Sequence, residues 1–193
     1  MSWSFDKTLE GRFVRMVPMT LVHAEGMLEA ATPETFAYML RGPEPWTPEG
    51  FRTYITNHLA TGQKAYVVED VQTGRIVGSS TYLDVREAHL GLEIGHTWIT
   101  PDRRGTAVNP EMKLLMLAYA FEELGAIRVC LKCDERNLHS QAAIAKLGAT
   151  REGTWRKASI LPDGWHRNTV YFSIIDTDWP RVKEGLNQRL RDF

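Results

Sequence analysis

Hydrophobic positions along the chain switch between a period of two and a period of three to four, and these switches set out the order of elements. "GRFVRMVPM" reads as a first strand and "TLVHAEGMLEAA" as a helix opened by Thr20. Two Thr-Pro-Glu starts follow, Thr32-Pro33-Glu34 and Thr47-Pro48-Glu49, each placing a capping hydroxyl before a proline at the first helical position. In the second, Phe51, Tyr54, Ile55 and Leu59 form one stripe that Gly62 ends. "KAYVVED" and "GRIVGSSTYLDV" flank the turn "VQTG" as a hairpin, and "HLGLEIGHTWITP" adds a longer strand. Then come a helix ending near Leu124-Gly125, the strand "IRVCLKC" and the helix "NLHSQAAIAKLG". The closing strands "TREGTWRKASI" and "NTVYFSIID" are joined by "LPDGWHR", and "DTDWPRVKEGLNQRL" is a last helix with Asp178 as its cap. No repeat, linker or low-complexity tract interrupts this plan, so residues 1–193 are read as a single domain.

Composition narrows the class. The chain is long enough for one sizeable core, and no apolar run approaches the roughly eighteen residues of a membrane span. "MSWSFDKTLEGRF" lacks the apolar segment of a targeting signal, which leads to the expectation of a cytoplasmic protein without a membrane partner. Between Arg103 and Lys157 there are ten Lys and Arg against six Asp and Glu, and elsewhere thirteen against eighteen. That excess is too small for a nucleic-acid surface and suits one small polyanion.

The two cysteines spell C-x-x-C, a spacing that raises a redox pair or half a zinc site. Yet Ile127, Val129, Leu131 and Cys133 alternate with Arg128, Cys130 and Lys132, and residues three apart on a strand face opposite ways. No second pair with ligand spacing exists, so no metal site is expected.

The chemistry concentrates in "PDRRGTAVNPE", a basic, glycine-containing turn between a strand and a long helix. The first amides of a helix lack partners and carry partial positive charge, so the N–H groups of Arg104, Gly105, Thr106, Ala107 and Val108 can hold diphosphate oxygens, with Arg103 and Arg104 adding charge. Pro110 costs little in a first turn. Neither a P-loop nor a dinucleotide fingerprint is present. Downstream, Asn137 and Ser140 share one face at the start of the next helix, near the end of the preceding strand.

This order of parts, from about Leu90 to Arg156, resembles the acyl-CoA-binding core of the GNAT N-acetyltransferase superfamily, and the flanking elements extend the likeness to nearly the whole chain. The family pattern Q/R-x-x-G-x-G/A falls on Asp102, Arg103, Arg104, Gly105, Thr106 and Ala107, with Asp102 departing at the first position. "EIGHTWITPDRRGTAVNPE" and "DERNLHSQAAIAKLGATREGTWRK" resemble the RimJ/RimL-type ribosomal-protein N-acetyltransferases. The resemblance implies a mixed α/β fold with a central twisted sheet of about seven strands and helices on both faces. It also implies that the family's fourth and fifth strands, here "LEIGHTWI" and "RVCLKCD", splay to admit pantetheine.

The same resemblance implies acetyl-CoA as cofactor, held by Ile99, Arg103, Arg104, Gly105, Thr106, Ala107, Val108 and Asn137. Many members use a tyrosine seven residues after the asparagine to protonate departing sulfur; Ile144 stands there, so Ser140 is the substitute. Glu93 is the candidate base, directly or through water. At pH 7 an α-amine near pKa 7.8 needs about 1 kcal/mol to deprotonate and a lysine near 10.4 about 4.6 kcal/mol, so one carboxylate suits the first better. Trp46, Tyr82 and Trp165 are the expected wall of the acceptor groove. The implied reaction is direct transfer of an acetyl group to a primary amine, either a protein N-terminus or a small molecule; the alternative is a non-catalytic acyl-CoA-binding module. A homodimer is left open.

Overall fold

The computed structural model describes residues 2–193. Its elements are β1 (Leu9–Glu10), β2 (Val14–Pro18), α1 (Ala24–Ala30), α2 (Pro48–Ala60), β3 (Lys64–Asp70), β4 (Ile76–Arg86) and β5 (Gly91–Ile99). These are followed by α3 (Val108–Ala118), β6 (Arg128–Asp134), α4 (Leu138–Ala145), β7 (Thr150–Ile160), β8 (His166–Ile175) and α5 (Trp179–Arg191). The strands form one sheet in the order β1-β2-β3-β4-β5-β6-β8-β7, antiparallel everywhere except between β5 and β6. It has eight strands rather than about seven because Leu9 and Glu10 add a short pairing to Met16 and Arg15 of β2.

Alternation along the strands divides the core in two. Tyr66, Tyr82, Leu92, Ile94, Val129 and Leu131 pack with Met112 and Met116 of α3 and Val182 and Leu186 of α5. On the opposite face Val67 and Trp98 pack with Met27, Phe36, Phe51 and Ile55. The helix starts differ in strength. Thr47 Oγ1 accepts from Gly50 N at 3.2 Å, and Pro48 opens the long α2. Thr32-Pro33-Glu34 opens only a single tight turn, Pro33–Phe36, and the region after Thr20 begins as a tight turn, Leu21–His23, before α1. Asp178 precedes α5 without capping it; its Oδ2 lies 3.4 Å from the Ile175 amide instead.

Candidate active site

β5 and β6 share three registered pairs, Gly91 with Arg128, Leu92 with Val129 and Glu93 with Cys130. Beyond Glu93 each follows its outer neighbour, β5 along β4 and β6 along β8 as far as Asp134, so a wedge opens between them. The departure of β5 coincides with a bulge. Thr81 faces Gly95 and Ser79 faces Trp98, leaving His96 and Thr97 opposite Ser80, with His96 at φ +47°. A side chain at Gly95 would meet Leu83 Cδ1 at 2.6 Å and push that side chain aside.

At the wide end of the wedge lies the basic turn. Gly105 sits at φ +78°, a conformation that favours glycine. The Arg104 amide reaches Pro101 O at 3.4 Å and the Val108 amide reaches Thr106 Oγ1 at 3.4 Å. Among the described residues the amides of Gly105, Thr106 and Ala107 have no acceptor, so three of the five expected donors are free. The arginine side chains are already engaged. Arg103 forms an ion pair with the buried Asp70 at 3.1 Å, and Arg104 Nε donates to the Ile99 carbonyl at 3.3 Å. Ile99 itself packs against the main core.

Across the wedge, Asn137 Oδ1 accepts from the Ser140 amide at 2.9 Å, which makes it the N-cap of α4. Ser140 is half-buried against Cys133 at the end of β6. Burial raises the Cys133 thiol pKa, and the Ser140 hydrogen bond opposes that rise. Ile144 is buried in the core. Cys130 and Cys133 are both free; Cys133 belongs to the core and Cys130 to the other face of the sheet.

Glu93 is 9% exposed, with Oε2 2.5 Å from Lys132 Nζ. Burial opposes the charge on Lys132, but the hydrogen bond and attraction from Glu93 outweigh it and raise the lysine pKa. Lys132 and Cys130 line an open hollow of about 390 Å³ with Arg128, Glu152, Trp155 and Tyr171, so the Glu93 carboxylate lies one side chain from solvent.

The three residues expected to wall the acceptor groove lie in different surroundings. Tyr82 is fully buried on the α3 face, its hydroxyl donating to Met116 O at 2.8 Å, and is out of reach of any substrate. Trp46 packs edge-on against Phe51 and Phe36, at 5.1 and 6.0 Å between ring centroids. Trp165 alone is half exposed, with the Arg136 guanidinium 4.5 Å from its ring.

Four buried or half-buried polar groups around the bulge escaped the sequence reading. The His58 and His96 rings pack at a tilt of 52°, 4.8 Å between centroids, and His58 Nε2 lies 3.0 Å from Thr81 Oγ1. Burial, reinforced for His58 by His96 and Arg41 and for His96 by Arg167 and Arg41, lowers both imidazoles to about 4. On the other face Lys113 Nζ donates to Thr97 Oγ1 at 2.8 Å, and that hydroxyl lies 2.7 Å from Ser80 Oγ. Burial pushes Lys113 down to about 7. The fourth group, Arg167, extends from β8 toward the Tyr38 carbonyl. The step from Glu93 to Pro101, one residue longer than the usual pattern of the resembling branch, is compatible with the bulge found here, but "EIGHTW" did not show that it turns His96 and Thr97 to opposite faces.

The structure thus brings a splayed parallel strand pair, free amides in the turn before α3 and a serine-bearing helix start into neighbouring positions. Residues 14–150 match the acetyltransferase (GNAT) domain family, and the chain belongs to that family. It is accordingly an acetyl-CoA-dependent acyltransferase. A crystal structure from T. thermophilus, described provisionally as an acetyltransferase, is 36% identical with a TM-score of 0.91, covering 98% of this chain and 100% of that one. A GCN5-related N-acetyltransferase from Brucella melitensis superposes with a TM-score of 0.89 at 25% identity, over 96% of this chain and 86% of its own. YdaF of Bacillus subtilis, provisionally named a ribosomal N-acetyltransferase, is 27% identical over 57% of this chain; the match spans only 59% of YdaF.

Proposed function

We propose that the protein transfers the acetyl group of acetyl-CoA directly to a primary amine at the mouth of the β5/β6 wedge. The observation that carries this reading is the coincidence of three features: the parting of the strands after Glu93, three unpartnered amides at Gly105, Thr106 and Ala107 among the described residues, and Ser140 in the first turn of α4, beside Cys133 at the end of β6. The amides bind the diphosphate, assisted by the dipole of α3, and the free edges of β5 and β6 align the pantetheine arm. Asn137, with its Oδ1 committed to capping, offers its Nδ2 to that arm.

In the reaction the amine nitrogen bonds to the acetyl carbon as the carbon–sulfur bond breaks. Glu93 takes one amine proton through water, and the sulfur leaves as a thiolate that Ser140 stabilises by hydrogen bonding before it is protonated. Lys132 Nζ, 2.5 Å from Glu93 Oε2, holds that carboxylate in position. Placement beside the RimJ/RimL-type enzymes is supported by the quoted sequence stretches and by the name of YdaF.

The test is release of free CoA thiol on addition of a panel of amines: α-amines of peptides, lysine side chains, polyamines and amino acids. Release that depends on an amine and falls about tenfold or more in Ser140→Ala supports the reading. Acetyl-CoA binding without release across the panel contradicts it.

A further inference from the structure

The α2 side of the β5 bulge holds more donors and more positive charge than its own side chains use. Arg167 Nη1 donates to Tyr38 O at 3.4 Å, yet its Nε is enclosed with no partner among the described residues, as are Trp98 Nε1 and His96 Nδ1. Arginine Nε–H and indole N–H can only donate, so these groups call for an acceptor. The charge is equally uneven. Arg136 is matched by Asp134, which receives its Nε at 3.2 Å and its Nη2 at 3.1 Å. Arg167 and Arg41 have no carboxylate within ion-pair distance among the described residues. Both guanidiniums nevertheless lie close enough to His96 to disfavour its charged form, and Arg41 does the same to His58.

Building on the transferase reading above, we propose that the acceptor is a small anionic amine, one carrying a carboxylate or phosphate close to its amino group, and that Arg41 and Arg167 bind this oxyanion beside the bulge. Asp134, bound by Arg136, attracts Arg167 only at longer range. Two guanidiniums with no carboxylate in direct contact among the described residues repel polyamines and lysine-rich segments, whereas a carboxylate or phosphate meets both in charge-assisted hydrogen bonds. The same cations make an ammonium costly beside the thioester, so the acceptor nitrogen sits there as the free amine. Tyr38 and Trp165, both exposed and flanking Arg136, give the rest of a small molecule an apolar surface.

The test pairs calorimetry on CoA-loaded protein with the CoA-release assay. Glycine, L-alanine and O-phosphoethanolamine are set against glycinamide, L-alaninamide and ethanolamine, with spermidine as the cationic arm. At least one anionic amine should bind about tenfold or more tightly than its neutral partner, and the carboxylate and phosphate arms identify the oxyanion. Arg167→Gln and Arg41→Gln should abolish that preference through KM, while acetyl-CoA affinity stays unchanged. Equal or better binding of neutral or cationic amines overturns the proposal, as does a preference that survives the double variant. Preferential binding without CoA release supports the anion site and removes the transferase reading; release indifferent to acceptor charge does the reverse.

Discussion

Glu93 and Lys132 face each other where β5 and β6 make their last parallel pairing, carboxylate oxygen to ammonium nitrogen at 2.5 Å. The pair fixes a carboxylate at the apex of the wedge. Glu93→Gln keeps the shape and removes the base, so kcat should fall about 100-fold with acetyl-CoA affinity unchanged by calorimetry. An unaltered kcat would reduce the pair to a clamp between strands.

Lys113 is buried without a carboxylate partner among the described residues, and burial holds it at about 7 against an ordinary 10.5. Because the folded pKa is the lower one, the unfolded chain binds more protons between these values. Stability therefore rises as pH increases from about 7 to 10.5 and is lost as pH falls back through that window. Lys113→Met removes the effect. Its stability advantage over wild type in urea unfolding should be larger at pH 6.5 than at pH 10, by on the order of a few kcal/mol; a gap independent of pH contradicts the assignment.

His58 and His96 obey the same sign at lower pH. Both are held at about 4 against 6.5, so their contribution is complete above 6.5 and disappears as pH falls through 4. A double His58→Gln, His96→Gln variant should show a flatter loss of unfolding free energy between pH 6.5 and 4 than wild type does.

Tyr82→Phe separates packing from substrate contact. Removing the hydroxyl that donates to Met116 O should lower stability by roughly 1–2 kcal/mol and leave KM for the acceptor unaltered. A raised KM with normal stability would return Tyr82 to the acceptor groove.

Much of this was legible in the sequence because it depended on local pattern. The alternation in "RVCLKC" fixed the faces of Cys130 and Cys133, Gly105 marked a turn that needs positive φ, and Asn137 stood where α4 needed a cap. What escaped depended on distant partners. Asp70, far away in sequence, captures Arg103, and although the extra residue in β5 is compatible with a bulge, the partners His58 and Lys113 that meet His96 and Thr97 on its two faces come from distant helices. Glu111 reads as an ordinary helix-surface residue, yet its carboxylate accepts from the amides of Arg12, Phe13 and Val14 and ties α3 to the start of β2. Aromatic residues gave the weakest signal, since Tyr82, Trp46 and Trp165 look alike in sequence and differ only in what packs over them.

The central claim is that the wedge between β5 and β6 holds the donor by its diphosphate. Amide chemical shifts of ¹⁵N-labelled protein titrated with CoA test it most directly. The largest perturbations should fall on Gly105, Thr106 and Ala107, accompanied by Ser140, and should be lost for CoA in Gly105→Val. Perturbations confined to the α1/α2 face, with these three amides unmoved, would contradict it.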